Sequence, residues 1–203
     1  FFSRAILEML LHIDFAPDII HANDWQTALV CVYLNLYYRG ADKLAHVKTA
    51  FTIHNIQYQG KYGMEMLEDV LSIGPENAHL VEFDGCVNYM KGAIECADKV
   101  TTVSPTYAYE IMDPWYSHGL DGLLRERSYK TCGILNGIDT AVYDPACDPL
   151  LAHHFDRDSV ETGKPACKDD LRERFQLEKN GQPVLGMVTR LVSHKGLDLV
   201  RHV

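Results

Sequence analysis

The 203-residue sequence has no excess of basic charge: 19 Lys and Arg stand against 28 Asp and Glu, a formal net charge of −9. A nucleic-acid or anionic-membrane surface would have to be built against that overall field, so neither partner is expected. Long apolar runs are also missing. No stretch approaches the roughly 20 residues needed to span a bilayer, and Phe1-Phe2-Ser3-Arg4 is not the basic opening of a signal peptide. The six cysteines (Cys31, Cys86, Cys96, Cys132, Cys147 and Cys167) include no CxxC pair and are too sparse for a disulfide scaffold. They suit reduced thiols in a cytoplasmic setting and offer no zinc site. Repeats and low-complexity tracts are absent. There is no initiator methionine, and Leu199 to Val203 reads as the opening turns of a helix, so an interior piece of a longer chain is expected.

What is present is the material of a packed core, 47% hydrophobic residues with 23% charged. Short β-branched runs at Asp18–Ala22, Lys48–Ile53, Lys99–Val103, Cys132–Leu135 and Val184–Thr189 read as buried parallel strands. Between them, Trp25–Arg39 and Cys86–Ala97 have the length and spacing of crossover helices. Ser104-Pro105 supplies an N-cap followed by proline at the first helical position. This alternation predicts a doubly wound α/β sheet. Residues 1–139 are assigned to a first Rossmann-like domain. The polar, turn-rich stretch 140–182, with a charged helix around Lys168–Phe175, is assigned to an interdomain connection, and 183–203 to the start of a second α/β domain.

Ligands of such sheets bind beyond the carboxyl ends of the strands, so the residues just after each strand are the candidates. After the first strand comes Asn23-Asp24-Trp25, where Asp24 is open to two readings, a helix N-cap or a carboxylate facing the crevice. After the second comes His54-Asn55-Ile56-Gln57-Tyr58-Gln59-Gly60, a loop rich in amides. Its imidazole and amide groups match sugar hydroxyls as donors and acceptors, and Tyr58 can cover an apolar sugar face. His54 itself could be a structural histidine or a site residue. The fourth strand ends in Asn136-Gly137, a common turn dipeptide. The fifth runs into Arg190 and Lys195, two cations five residues apart across a strand-to-helix turn, suited to clamping a diphosphate.

Four of these segments, His21-Ala22-Asn23-Asp24-Trp25, Thr52-Ile53-His54-Asn55, Leu135-Asn136-Gly137-Ile138-Asp139 and Arg190-Leu191-x-x-x-Lys195-Gly196, occur in the order found in glycogen and starch synthases. With Tyr58-Gln59-Gly60, Val103 to Ala108, Gly119 to Leu124 and Lys195 to Leu199, the sequence resembles that family over nearly its whole length. The resemblance implies a GT-B architecture, two Rossmann-like domains facing each other across a cleft. It implies an enzyme that moves glucose from ADP-glucose to the non-reducing end of an α-1,4-glucan with retention of configuration, needing neither metal nor cofactor. It carries Asp24, His54, Arg190 and Lys195 over as catalytic, and Asn55, Gln57, Tyr58, Asn136 and Gly137 as substrate-binding. The family's Lys-x-Gly-Gly-Leu loop and its acidic sugar motif would flank these residues. Related readings are another retaining GT-B transferase, such as a sucrose synthase or a trehalose-forming enzyme, or a non-catalytic glucan-binding paralogue. The run Thr52 to Gly60 argues against the former, and retention of Asp24, His54, Arg190 and Lys195 against the latter.

Overall fold

A computed structural model describes residues 1–192 and 195–202, and divides the chain into two compact units, Phe1–Asn136 and Gly137–Val203. In the first unit, Ile19–Asn23 (β1), Lys48–Ile53 (β2), Lys99–Thr102 (β6) and Thr131–Gly133 (β7) form one parallel sheet in the order β1-β2-β6-β7. Each strand is added beside its predecessor in this sheet. Right-handed crossovers that step in one direction lay their helices on a single face. The helices Asp24–Tyr33 (α2) and Tyr89–Cys96 (α5) are those crossovers, and Phe2–His12 (α1) packs against α2.

Register decides which side chains meet those helices. Ala22 pairs with Phe51 and Phe51 with Val100, and all three are buried with Ile53, Ala28, Met90 and Ile94. Each fully buried Phe, Ile or Leu of this core contributes about 1.5–3 kcal/mol. One residue along, Asn23 pairs with Thr52 and Thr52 with Thr101, so these polar groups share the other face. A second cluster joins Leu7 and Leu10 of α1 to Val32, Tyr33 and Leu34, and on to Leu67, Ile73, Val81 and Val87.

Four expectations are corrected. Trp25–Arg39 is not one α-helix: α2 ends at Tyr33 and continues as a π-turn over Leu34–Tyr38, with Arg39 N–H bonded to Leu34 O. Cys86–Ala97 is not all helix either. Cys86–Asn88 (β5) is a strand between Lys61–Tyr62 (β3) and Glu82–Phe83 (β4), in a small antiparallel sheet. The reason is Asp84-Gly85, both at positive φ (54° and 73°), which turns β4 directly back into β5 as a two-residue hairpin. The charged helix is longer than read, spanning Val160–Arg174 (α8), after an Asp156 carboxylate that accepts from the Ser159 N–H and hydroxyl. Val184–Thr189 carries no strand pairing. A strand exists only against a neighbour, and among the described residues of the second unit there is no other strand for it to join. The helix after it does form, at Leu197–His202 (α9).

The connection that opens the second unit is held by its own aspartates. Asp139, Asp144 and Asp148 each accept from the backbone N–H two residues on, at Ala141, Ala146 and Leu150. Such Asx-turns give an irregular chain local partners where no ladder supplies them.

Two contacts fix the carboxyl half of the first sheet. The ammonium of Lys130 is buried and donates to the Glu95 and Ala97 carbonyls at 2.8 and 2.7 Å, closing the C-terminus of α5. That burial lowers its pKa from the ordinary lysine value. At the end of β7, Gly133 passes so close to the next segment that a Cβ would meet the Ser104 carbonyl oxygen at 2.0 Å. Ser104 is there capping the helix Pro105–Glu110 (α6), its hydroxyl accepting from Tyr107 N–H. Gly133→Ala should therefore destabilise the first unit by about 2 kcal/mol or more, seen as a lower urea midpoint of the chain, because the neighbouring atom is backbone and cannot rotate away.

Candidate functional site

The carboxyl ends of β1 and β2 are tied together by two adjacent residues. Asp24 lies in the left-handed region at φ 54°, a conformation that Asp tolerates better than most residues. This turns its carboxylate away from the start of α2 and onto β2, where Oδ1 accepts the His54 N–H at 2.8 Å. The N-cap position belongs to Asn23, whose side chain makes no capping bond. Its amide Oδ1 meets His54 Nε2 at 2.9 Å instead. The Thr27 hydroxyl accepts from Asn23 N–H and donates to Asn23 O, fixing the backbone from which both side chains leave. The capping reading of Asp24 is thus set aside by a hydrogen bond across 30 residues of sequence.

His54 is held at its backbone and at its ring. An amide oxygen only accepts, so the Nε2 facing Asn23 carries a proton and Nδ1 is the ring nitrogen left without a partner from Asn23. Beside it, His21 Nε2 and the Thr52 hydroxyl are 2.6 Å apart, and Thr52 and Thr101 share a second hydroxyl contact of 2.6 Å. This row crosses three strands on the face opposite the helices. With Asn136 it lines a cavity of about 280 Å³ that also includes Asn23 and His54.

Among the sequence-predicted residues, Asp24, His54 and Asn136 come together at this edge. Gln57 and Tyr58 line the next cavity along the same loop. Asn55 Oδ1 is used internally, accepting from Gln57 N–H at 3.0 Å in an Asx-turn, so its amide nitrogen is the end that can face outward. The loop is pinned further by the Tyr107 hydroxyl, which accepts from Ile56 N–H. Burial raises the pKa of that phenol, so it stays protonated at neutral pH. Gly137, Arg190 and Lys195 belong to the second unit. Arg190 and Lys195 are exposed, on a turn in which Lys195 N–H bonds to Val192 O and Val192 N–H to Arg190 O. Gly196, at φ 70°, then opens α9. Ser193 and His194, within the same motif, lie outside the described residues.

Sequence reasoning missed His21, Asn23, Thr52 and Thr101. Their signal was period-two alternation, since each sits one position from a buried apolar partner on its strand. Among the described residues no group of three or more His, Cys, Asp or Glu is placed to hold a metal ion.

A parallel α/β sheet that gathers imidazole, amide and carboxylate groups at its carboxyl edge is a Rossmann-like domain with polar groups where such sheets bind their ligands. Residues 1–126 match the family described as starch synthase catalytic domain. The chain is 46% identical to a glycogen synthase of Alkaliphilus metalliredigens, covering 98% of this chain and 42% of that one. It is 45% identical to one of Bacillus cereus, covering 100% of this chain and 43% of that one. Among solved structures it matches the catalytic domain of starch synthase IV from Arabidopsis thaliana, bound to ADP and acarbose. The TM-score is 0.84 at 41% identity, over 99% of this chain and 42% of that one. The chain belongs to the glycogen and starch synthase family, and spans about two fifths of the length of the curated relatives it matches.

Asn23→Ala should leave the fold intact, because the bond it removes is exposed, while releasing the His54 ring. Nitrogen-15 shifts of the imidazole check this: a defined Nε2–H tautomer in the wild-type chain, and averaged values in the variant.

Proposed function

We propose that the chain is the middle part of a glycogen or starch synthase that transfers glucose from ADP-glucose to the non-reducing end of an α-1,4-glucan, with retention of configuration. The observation that carries this reading is the tied strand edge, where Asp24, Asn23 and His54 form one hydrogen-bonded group next to Asn136. ADP as the nucleotide is supported by the ADP bound in the Arabidopsis structure, and the glucan by its acarbose. Residues 1–139 are read as the acceptor-side domain, 140–182 as the connection and 183–203 as the start of the nucleotide-sugar domain. Six free cysteines fit a reducing compartment such as the bacterial cytoplasm.

In the reaction the bond between glucosyl C1 and the diphosphate oxygen breaks, and a new bond forms from C1 to the acceptor's 4-hydroxyl oxygen. The hydroxyl proton leaves with the diphosphate. Negative charge grows on the diphosphate as the bond lengthens. Arg190 and Lys195 are the groups assigned to neutralise it, by a bidentate guanidinium and a point charge that gain most in the transition state. Asp24, His54 and Asn136 are assigned to the glucose hydroxyls and to the positive charge that develops at C1. Asn55 and Gly137 are assigned as further sugar contacts.

In the full-length enzyme built around this chain, Arg190→Ala or Lys195→Ala should lower kcat about 100-fold or more. Near-wild-type turnover in either variant would remove the clamp. Asp24→Asn keeps an oxygen for the His54 N–H and tolerates the left-handed backbone, so it should melt like the wild type while losing most of its turnover. Full activity would leave Asp24 a structural tie only. Because the cations are protein side chains, EDTA should leave activity essentially unchanged, and a strict divalent-metal requirement in a steady-state assay would contradict the scheme.

A further inference from the structure

Asn23 occupies the N-cap of α2, where an Asn side chain ordinarily accepts a hydrogen bond from the first turn of the helix. Here it forgoes that bond, and its Oδ1 meets His54 Nε2 at 2.9 Å across 31 residues of sequence. The backbone beneath it is fixed from both sides. Asn23 pairs with Thr52 in the ladder, and the Thr27 hydroxyl accepts from its N–H at 2.6 Å and donates to its carbonyl at 2.7 Å.

That bond decides a ring orientation. The last torsion of a histidine is broad and two-fold, so the Asp24 carboxylate on the His54 backbone N–H does not by itself choose which ring edge faces outward. The Asn23 amide oxygen does choose, because it accepts only from a nitrogen that carries hydrogen. With Nε2 bound in this way, Nδ1 is the other ring nitrogen, and in the neutral ring it is an acceptor. The Asn23 amide has a second end. Its Nδ2 hydrogens have no partner among the described residues, and Asn23 and His54 border the same cavity of about 280 Å³. One group of the pair accepts and the other donates, which complements a hydroxyl, donor and acceptor at a single atom.

We propose that Asn23 is a positioning residue for glucosyl transfer, which turns Nδ1 of His54 toward one hydroxyl of the transferred glucose and donates to that hydroxyl from its own Nδ2. This rests on the reading of the protein as a glucan-extending enzyme. The titratable groups at this corner of the fold are the Asp24 carboxylate on the His54 backbone N–H, His21 of β1 in the same cavity, and the Tyr107 phenol of α6 on Ile56 N–H. Among the described residues no Lys or Arg borders the cavity, so a charge placed at position 23 acts on the His54 ring without a cation beside it.

The test uses the full-length enzyme with ADP-glucose and glycogen, over a range of pH on either side of neutrality. Asn23→Ala should lower kcat about tenfold while the KM for glycogen stays within about twofold of the wild type's. Asn23→Asp keeps an acceptor for Nε2 but adds a charge that favours the imidazolium, so the neutral ring forms only at higher pH. The acid limb of its kcat/KM profile should therefore move upward by about one pH unit, and on the alkaline side its turnover should recover above that of Asn23→Ala. Across a set of singly deoxygenated ADP-glucose donors, the cost of Asn23→Ala should vanish with one of them, the donor that lacks the hydroxyl read by the pair. A purely structural tie would leave the Asn23→Asp profile superimposed on the wild type's and the cost of Asn23→Ala equal for every donor, and either result overturns the positioning role. Should Asn23→Ala fold poorly, the profile of Asn23→Asp decides alone. A wild-type enzyme that does not extend glycogen from ADP-glucose would instead overturn the reading beneath the proposal, whereas an active wild type with unchanged variants discards Asn23 and keeps that reading.

Discussion

The pairing of Asn23 with Thr52, and of Thr52 with Thr101, sets everything at the carboxyl edge of the sheet. In a parallel ladder the side chains alternate, so this one register sends Ala22, Phe51 and Val100 into the helices and the polar row to the opposite face. A slip of one residue would turn Asn23, Thr52 and Thr101 toward α2 and α5 and Phe51 away from them. The cost of unpaired buried amide and hydroxyl groups, added to the lost apolar burial, makes that alternative prohibitive. The packing energy of the core therefore fixes the position of His54 as well, because it follows Ile53, the last residue of β2.

Sequence reasoning reached the sheet because β-branched runs leave few alternatives, and β2 was read with its observed bounds, Lys48–Ile53. It failed where local rules compete. The start of the Cys86–Ala97 segment resembles helix in its apolar spacing, but Asp84-Gly85 is a hairpin signal that outranks it once noticed. The extension of α8 back to Val160 was hidden by Pro165, which normally marks a boundary. The role of Asp24 was not readable at all from local preference. An Asp at the start of a helix is ordinarily a cap, and only the positive φ and the partner 30 residues away reveal the other use.

The fate of Val184–Thr189 shows a different limit. Its β-branched composition is a preference for a pleated, half-buried surface, and Leu185 and Val188 are almost fully exposed here. Composition specifies what a strand would need, and pairing decides whether it forms. Arg190 lies directly beyond this segment, so any phosphate-binding geometry of Arg190 and Lys195 depends on strand neighbours that the second unit does not contain among its described residues. The groups at the edge of the first sheet have no such dependence, since each is anchored to the paired sheet by hydrogen bonds within the first unit.

That contrast explains why the first unit presents a mainly neutral site. Around the His54 cavity the polar groups are two amides, two imidazoles and three hydroxyls, several of them bonded to one another. Their mutual bonds already offset much of the cost of drying the surface, so water can be displaced from it without stripping a bare charge. Asp24 stands beside this group without lining the cavity, and its carboxylate is held by the His54 backbone N–H, not by a cation. Paired with Arg or Lys it would lose most of its field. The use of a backbone donor at this one position is what the role proposed for Asp24, favouring positive charge that develops in the transition state, requires.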